Sequence, residues 1–461
     1  MKTNVTRVFL IAVCISLLAS TGLFATGGGE NGATGALGAN EDKYEGFLPE
    51  LTPETDTVKI VVAQTAPDPE QLSTIKRNEI LMEKYGLKVE WETVAWMEIP
   101  PKLTTMIMAG DSPDLTNIGN NLTFPQIAVE GLIQPLDPYI DMKNFKESPL
   151  FKDVMEGIDS YAWKGQHYSL PSWQNTYIYV WYNKNLFEQN GLTTPLEYLK
   201  RGEWTWDTMR DLAIKLTQDT NNDGTIDIYG LGNNPGPDMW LPSTGVPFIA
   251  SGPEGLMTYM KDPRIARAMN YLQDLGPTKR NVMSFGWSFR QEFPLGKIAM
   301  AVDGVFFKQL FAKDMAEDEL DFVIFPKDPQ SSSYNLEYNS GGLGLVKGSK
   351  NPTGAIAYQC VARYTGLDEE LAQLGLDSMI VRNLLTDEQG LRRQTPGYIA
   401  EGDPIVEHQP VIHSTYAVGD FTWGVFYPMM DELVNQGVSW SSLVDKYYPI
   451  LSKNIEDVNT Q

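Results

Sequence analysis

Hydrophobic and polar positions in the first part of the chain follow two different periods. Residues 58–63 (VKIVVA) form a short β-branched run, and residues 87–94 (LKVEWETV) alternate as a strand does. Between them, residues 70–86 space their apolar side chains as in a helix and end at a glycine. The order strand, helix, strand predicts a parallel crossover unit.

The same alternation continues along the chain. It predicts a short strand near residues 114–119, and helices near residues 99–110, 124–131, 205–217, 262–275 and 353–366. We therefore predict an α/β fold rather than a helix bundle or a β-sandwich. A chain of 461 residues is longer than a single hydrophobic core usually supports, so we predict two domains.

The amino terminus has the pattern of an export signal. Lys2 and Arg7 precede an apolar run at residues 8–19, and a small-residue cleavage site follows at Ala25. The apolar run is too short for a comfortable membrane span. We predict a signal peptide at residues 1–25, a Gly-rich flexible spacer at residues 26–56, and no direct insertion of the mature protein into a membrane.

The two cysteines and the net charge restrict where the protein is located, how it is stabilised and which partners it binds. Cys14 lies within the leader, where a lipid anchor is the alternative to cleavage, but the bulky Val13 before it favours a free periplasmic protein. Only Cys360 then remains, which excludes a disulfide framework. The formal charge of −23 becomes −25 without Lys2 and Arg7, and such a surface disfavours nucleic acid as a partner.

Few residues suggest catalysis. The sequence contains three histidines, His167, His408 and His413, and Pro410 prevents the last two from sharing a helix face as a zinc pair. No nucleophile elbow, phosphate loop or dinucleotide motif is present in a suitable context. We expect structural histidines and no catalytic residue, although a pair of glycosidase carboxylates stays open as an alternative.

Residues 219–230 (DTNNDGTIDIYG) place oxygen-bearing side chains at alternate positions before and after a glycine. A hard cation such as Ca²⁺ needs several oxygen ligands that one tight loop can supply. The predicted ligands are the side chains of Asp219, Asn221 and Asp223, the backbone carbonyl of Thr225, and Asp227 directly or through water. Gly230 stands where a calmodulin-type loop has a bidentate Glu, so a solvated turn without metal is the alternative. A structural Ca²⁺ is thus possible, and no cofactor is required.

Aromatic and amide side chains are concentrated in residues 165–187 (GQHYSLPSWQNTYIYVWYNKNLF). A sugar offers an apolar C–H face on which rings stack and a hydroxyl edge that amides bind. Trp173, Asn175 and Tyr177 suit such a ligand. Trp240, Trp287 and Trp423 also lie in predicted loops, where ligand contacts are common, and for Trp287 we leave the role open.

Six segments together resemble one protein family, the extracellular solute-binding proteins of ABC importers in the branch of the maltose-binding protein. They occur in the family's order along the chain: AGDSPDL (109–115), GLIQPLDPYI (131–140), GQHYSLPSWQNTYIYVWYNKNLFEQNGL (165–192), WTWDTMRDLAIKLT (204–217), PLGKIAMAVDG (294–304) and GGLGLVKGSKNPTGAIAYQCVARY (341–364). The calcium-like loop also recurs in members of this branch.

The resemblance implies a two-lobed periplasmic binding protein fold of the type II kind, with hinge strands between two α/β lobes and ligand in the cleft. By the family pattern the N-terminal lobe comprises residues 57–176 and 335–392, and the C-terminal lobe comprises residues 177–334 and 393–461. The implied partners are a carbohydrate, most simply an oligosaccharide, and the transmembrane subunits of an ABC permease. We expect a monomer.

The family pattern adds further ligand-binding positions to those argued from residue type. The full set is Asn120, Trp173, Asn175, Tyr177, Trp240, Asp303, Phe306 and Trp423. Two alternatives stay open at this point. The same fold could bind a peptide, a polyamine or another cation, which the acidic surface would attract. A carbohydrate-active hydrolase would instead need two carboxyl groups facing each other across the site.

Overall fold

The structure is a computed structural model of the whole chain. It describes residues 46–63, 66–95, 98–118, 124–176, 178–234, 236, 240–252, 255–304, 307–316, 318–368, 408–412, 416–417 and 421–461. The predicted signal peptide, Cys14 and most of the predicted spacer lie outside the described residues. The buried Cys360 is a free thiol.

The described strands are short and form several sheets. In chain order they are β1 (Thr57–Ala63), β2 (Lys88–Val94), β3 (Leu115–Asn117), β4 (Phe124–Pro125), β5 (Ala162–Trp163), β6 (Gln166–His167), β7 (Trp173–Thr176), β8 (Ile178–Asn183), β9 (Tyr229–Asn233), β10 (Ile249–Gly252), β11 (Gly255–Thr258), β12 (Met283–Phe285), β13 (Ile298–Gly304), β14 (Leu320–Ile324), β15 (Tyr334–Gly341), β16 (Leu343–Leu345), β17 (His408–Ile412) and β18 (Tyr416–Ala417).

The helices flank these sheets. They are α1 (Leu72–Tyr85), α2 (Ile99–Ala109), α3 (Gln126–Val129), α4 (Met142–Glu147), α5 (Met155–Asp159), α6 (Lys184–Gln189), α7 (Pro195–Lys200), α8 (Trp206–Leu216), α9 (Pro263–Leu275), α10 (Phe289–Glu292), α11 (Phe307–Leu310), α12 (Pro352–Leu367), α13 (Tyr427–Val434) and α14 (Trp440–Thr460). Short 3₁₀ turns at Pro242–Thr244 and Phe293–Leu295 and a π-helical turn at Phe421–Phe426 complete the set. No helix among the described residues is long and apolar enough to cross a bilayer.

The first crossover unit agrees with the sequence prediction. Strands β1 and β2 pair in parallel over their full length, from Thr57 opposite Lys88 to Ala63 opposite Val94. Helix α1 connects them and ends at Gly86, whose φ of 65° suits a left-handed helix stop. With β3 and β16 these strands form a four-stranded sheet in the order β16-β3-β1-β2.

A second sheet has five strands in the order β12-β9-β13-β8-β14. Strands β12, β9 and β13 run parallel, whereas β8 and β14 run antiparallel to their neighbours. Every residue of β8 and β13 is buried, as expected for central strands covered on both faces. At Gly232 a Cβ atom would stand 2.7 Å from the Phe289 side chain, so only glycine lets α10 pack this closely on β9.

A three-stranded sheet in the order β17-β15-β7 connects the other two. One residue, 177, separates β7 from β8 of the five-stranded sheet, and one residue, 342, separates β15 from β16 of the four-stranded sheet. The predicted lobe boundary between residues 176 and 177 coincides with the first crossing. The full division of the chain into two lobes stays a prediction.

Most predicted helices are confirmed within one or two residues at each end, namely those near residues 99–110, 205–217, 262–275 and 353–366. The helix predicted near residues 124–131 is wrong in length, because it is the single turn α3. Phe124 and Pro125 form the two-residue strand β4 before it, and Pro125 is also the N-cap of the turn. A proline disfavours helical backbone at the residue before it, which here is Phe124. This explains why the helix is shorter than predicted.

Candidate ligand-binding site

Three parallel strands of the five-stranded sheet end at one edge. Asn233 of β9 lies opposite both Phe285 of β12 and Val302 of β13. Gly304, the last residue of β13, pairs with Ile178, the first residue of β8. Ligands of open α/β sheets bind outside the carboxyl ends of the strands. This edge, which we call the carboxyl edge, is therefore the candidate site, and the chain enters it from β7.

Several predicted ligand contacts lie beside this edge in sequence. Tyr177 connects β7 to β8, and Phe306 follows β13 by two residues, but both lie outside the described residues, as does Asn120. For Trp173 and Asn175 the structure describes only the backbone, which pairs in β7 with Gly341 and Asn339 of β15. Trp423 likewise has a described backbone, in the π-helical turn. Their contacts with a ligand stay predictions.

Asp303, a predicted ligand contact, is completely buried. Its Oδ2 accepts a hydrogen bond of 2.6 Å from Nε of Arg290, and its Oδ1 accepts bonds from Nη2 of Arg290 at 2.7 Å and from the Gly304 amide at 2.8 Å. Burial raises the pKa of Asp303, while the Arg290 pair and the Gly304 amide oppose that rise. Both oxygens are thus engaged within the protein.

Trp240, another predicted contact, is 1% exposed. Its ring centroid lies 5.2 Å from that of Phe325 and 5.8 Å from that of Trp206, and its Nε1 donates to Oδ1 of Asn233 at 3.2 Å. These are the contacts of a core residue. The sequence around Trp240 suggested a ligand contact because its composition indicates a loop. That local composition contains no information about the distant aromatic side chains that cover the Trp240 ring.

Sequence reasoning missed Arg290, which joins Asp303 to a partly exposed ring. The guanidinium carbon of Arg290 lies 4.6 Å from the centroid of Trp287, and Trp287 is 41% exposed. The only sequence hint is that Arg290 follows Trp287 by three residues, which brings both side chains to one side of a helical turn.

The calcium-like loop connects α8 to β9. The side chain of Asp219 accepts hydrogen bonds from the Asp223 amide at 3.2 Å and from the Gly224 amide at 2.8 Å. Asn221 accepts a second bond from the Asp223 amide at 2.8 Å. Gly224 has a φ of 87°, which closes the turn where only glycine is unstrained.

The second half of this loop is also held by its own backbone. Asp223 accepts from the Thr225 amide at 2.8 Å, and Asp227 accepts from the Thr220 amide at 2.8 Å. Within the described part of the chain, no three His, Cys, Asp or Glu side chains converge so that they could hold a metal ion. The predicted ligands also include the Asn221 side chain and the Thr225 carbonyl, so calcium binding stays a prediction.

His167 has the structural role expected of it. Its Nδ1 lies 2.9 Å from Oδ1 of Asp137, and its Nε2 lies 3.5 Å from Oδ1 of Asp159. Its own amide also donates to Oδ2 of Asp137 at 2.6 Å. His408 has a described backbone only, in β17, and His413 lies outside the described residues.

A separate groove of about 590 Å³ lies between α8 and α9. Three arginines line it, but each pairs with an aspartate: Arg210 with Asp207, Arg267 with Asp328, and Arg280 with Asp274. Because every one of these positive charges has a carboxylate partner, the groove is not a strong anion site.

Residues 64–358, more than half of the chain, match the family model of the bacterial extracellular solute-binding proteins. The chain belongs to this family. The family match includes β8, β9, β12 and β13 and hence the carboxyl edge. It confirms the resemblance that six sequence segments had indicated.

Two curated relatives match a part of the chain. A binding protein of Brucella abortus is 30% identical over 137 residues, which are 29% of this chain and 29% of that protein. The diacetylchitobiose-binding protein NgcE of Streptomyces coelicolor is 28% identical over 129 residues, which are 28% of this chain and 25% of that protein. The chain thus aligns with less than a third of the length of these relatives.

Solved structures match most of the chain. A cyclo/maltodextrin-binding protein complexed with maltotetraose has a TM-score of 0.61 at 18% identity, over 88% of this chain and 98% of that one. An ABC substrate-binding protein of Listeria monocytogenes in complex with cycloalternan has a TM-score of 0.57 at 18% identity, with the same two coverages. These matches confirm the predicted fold class, a two-lobed α/β solute-binding fold with helices on both sides of the sheets.

Proposed function

We propose that this protein is the solute-binding component of an ABC importer and that its ligand is a carbohydrate, with oligosaccharides as the preferred class. Membership of the extracellular solute-binding family carries the proposal. The ligand class is supported by the solved neighbours, which are described with maltotetraose, cycloalternan and mannotriose, and by a curated relative that binds diacetylchitobiose.

The sequence that precedes β8 agrees with this ligand class. It contains Trp173, Asn175 and Tyr177, and rings together with amides match the apolar face and hydroxyl edge of a sugar. Binding requires no bond to be made or broken. A ligand that contacts both lobes shifts the equilibrium between open and closed states toward the closed state. The size of this shift is set by the difference between the ligand's affinities for the two states.

Export and delivery complete the proposal. The leader at residues 1–25 directs the chain out of the cytoplasm, and the mature protein acts as a free periplasmic monomer. It delivers its ligand in the closed form to the transmembrane subunits of a permease. The lobes at residues 57–176 with 335–392, and 177–334 with 393–461, close about the strands that cross between them.

Isothermal titration calorimetry of the purified exported protein tests this function. The titrants are maltotetraose, mannotriose and diacetylchitobiose, with spermidine and a tetrapeptide as the competing ligand classes. We expect at least one saccharide to bind with a dissociation constant on the order of 1 μM or tighter, and to be recovered unchanged afterwards. Binding of spermidine or the peptide alone would overturn the ligand class, and a cleaved saccharide would show a hydrolase.

A further inference from the structure

Trp287 is unusual among the tryptophans whose side chains the structure describes. Trp287 is 41% exposed, whereas Trp204, Trp206 and Trp240 are each at most 1% exposed. A large aromatic side chain normally contributes most when it is buried. An exposed ring that is nevertheless held in place therefore suggests a contact surface for something outside the chain.

The backbone places this ring at the carboxyl edge. Trp287 follows β12 by two residues, and the amide of Gly286 between them donates to the carbonyl of Asn233 at 3.0 Å. Gly286 has a φ of 140°, a backbone conformation that other residues rarely adopt. The turn that carries Trp287 is thus tied to the end of β9, and β13 separates β9 from β8 at the same edge.

The side chains behind Trp287 fix its orientation. The Arg290 guanidinium lies 4.6 Å from the Trp287 centroid and 4.8 Å from the Phe311 centroid, so it packs against both rings. Its planar fork makes two parallel hydrogen bonds to Asp303, which is completely buried. The Tyr427 ring approaches Trp287 edge-on at 6.1 Å. The indole is therefore preorganised, and a ligand would not have to order it.

We propose that Trp287 is a ligand-stacking residue of the carbohydrate site, and that Arg290 and Asp303 are positioning residues that hold its ring toward the carboxyl edge. This inference rests on the proposed function. Arg290 packs on the Trp287 ring, and the 41% of Trp287 that stays exposed is the surface on which the C–H face of a sugar would stack. It also gives Asp303 a role different from the direct ligand contact predicted from the sequence.

The test compares the affinities of variants for the saccharide that the wild-type protein binds most tightly among maltotetraose, mannotriose and diacetylchitobiose. Trp287→Ala is expected to weaken binding roughly tenfold or more, as truncation of a central aromatic contact does. Trp287→Phe keeps a smaller ring and is expected to lose less than Trp287→Leu, which keeps apolar bulk without a ring. Leu295→Ala is the matched control. Leu295 is also exposed, at 70%, but it lies before the first residue of β13, at the end of that strand opposite to the carboxyl edge.

The positioning role of Arg290 needs a different measurement. Arg290→Lys keeps the charge but loses the planar fork that binds Asp303 and stacks on the ring. We expect Arg290→Lys to weaken saccharide binding in the wild-type background and to have little further effect in the Trp287→Ala background. Equal losses in both backgrounds would contradict a role exercised through Trp287.

The possible failures are distinguishable. If the wild-type protein binds a saccharide and Trp287→Ala, Trp287→Phe and Trp287→Leu bind it equally well, the inference about Trp287 is overturned and the proposed function stands. If the wild-type protein binds none of the three saccharides, the proposed function fails and the inference fails with it. A loss in Trp287→Leu that is no larger than the loss in Trp287→Phe would also overturn stacking.

Discussion

At the scale of single residues, His167 connects three segments of the chain. It lies in the short hairpin of β5 and β6, and its ring nitrogens face Asp137 of the turn before α4 and Asp159 at the end of α5. Lys146 of α4 pairs with the same Asp159. The hydrogen bond to Asp159, and then that to Asp137, raises the pKa of His167, while burial and Lys146 work against that rise.

This raised pKa predicts a pH-dependent stability. Because the pKa of His167 is higher in the folded state than its unfolded value of about 6.5, the protonated ring stabilises the fold below that pH. The stabilisation is lost as the pH rises through the pKa of the folded state. We expect the difference in urea midpoint between the wild type and His167→Gln to be largest near pH 5.5 and to shrink toward pH 9. A difference that is constant over this range would contradict the linkage.

Two tryptophans show what single residues reveal from sequence. Trp240 and Trp287 lie in similar loops rich in Gly, Pro or Ser, and both were candidates for ligand contact on that basis. The structure buries Trp240 against Trp206 and Phe325 and leaves Trp287 partly exposed on Arg290. The difference depends on side chains distant in sequence, which local composition cannot identify.

At the scale of elements, the long periodic segments were predictable, whereas among the short ones β3 was predicted near residues 114–119 and β4 was not. The β1-α1-β2 unit follows from periodicity, because a β-branched run, a helically spaced segment and an alternating segment succeed one another in the sequence. The two-residue strand β4 pairs with β18, whose residues lie almost 300 positions away, with Phe124 opposite Tyr416. A segment this short has no periodicity of its own, and only its distant partner makes it a strand.

The loop between α8 and β9 makes a separate prediction, that Ca²⁺ stabilises the protein. Carboxylate oxygens that accept an amide hydrogen bond retain lone pairs for a cation, so Asp219 and Asp223 can bind Ca²⁺ without losing the turn. Ca²⁺ at 100 times its dissociation constant should add about 2.7 kcal/mol of stability relative to EDTA. Differential scanning fluorimetry with Ca²⁺, Mg²⁺ and EDTA measures this directly.

A matched pair of variants locates the effect. Asp219→Asn should abolish the calcium-dependent rise in melting temperature, whereas Asp211→Asn, which removes the same charge from the neighbouring helix α8, should keep it. Equal melting temperatures of the wild-type protein in Ca²⁺ and in EDTA would contradict calcium binding. Residues 219–230 would then be a turn stabilised only by its own hydrogen bonds.

At the scale of the whole molecule, sequence identified the family more readily than the ligand. Six short segments in the family's order sufficed to predict the fold, and four of them contain the elements β8, α8, β13 and β16. The same fold is described with maltotetraose in one neighbour, with mannotriose in another and with D-mannitol in a third. Fold alone therefore does not determine the ligand.

The sheet connections are suited to a molecule that closes around its ligand. The three-stranded sheet passes into each of the two larger sheets through a single residue, at positions 177 and 342. Such short crossings can absorb a change in backbone angles while the sheets on either side stay rigid. The proposed capture of a saccharide requires this closure, since ligand shifts the equilibrium only through contacts that the closed state adds.

Small-angle X-ray scattering during a titration tests the central claim most directly. The purified exported protein is titrated with the saccharide that calorimetry identifies as its tightest ligand. We predict that the radius of gyration falls and saturates with the calorimetric dissociation constant, while the scattering mass stays that of a monomer and the saccharide is recovered intact. A radius of gyration that stays unchanged at full saturation would contradict capture by closure of two lobes.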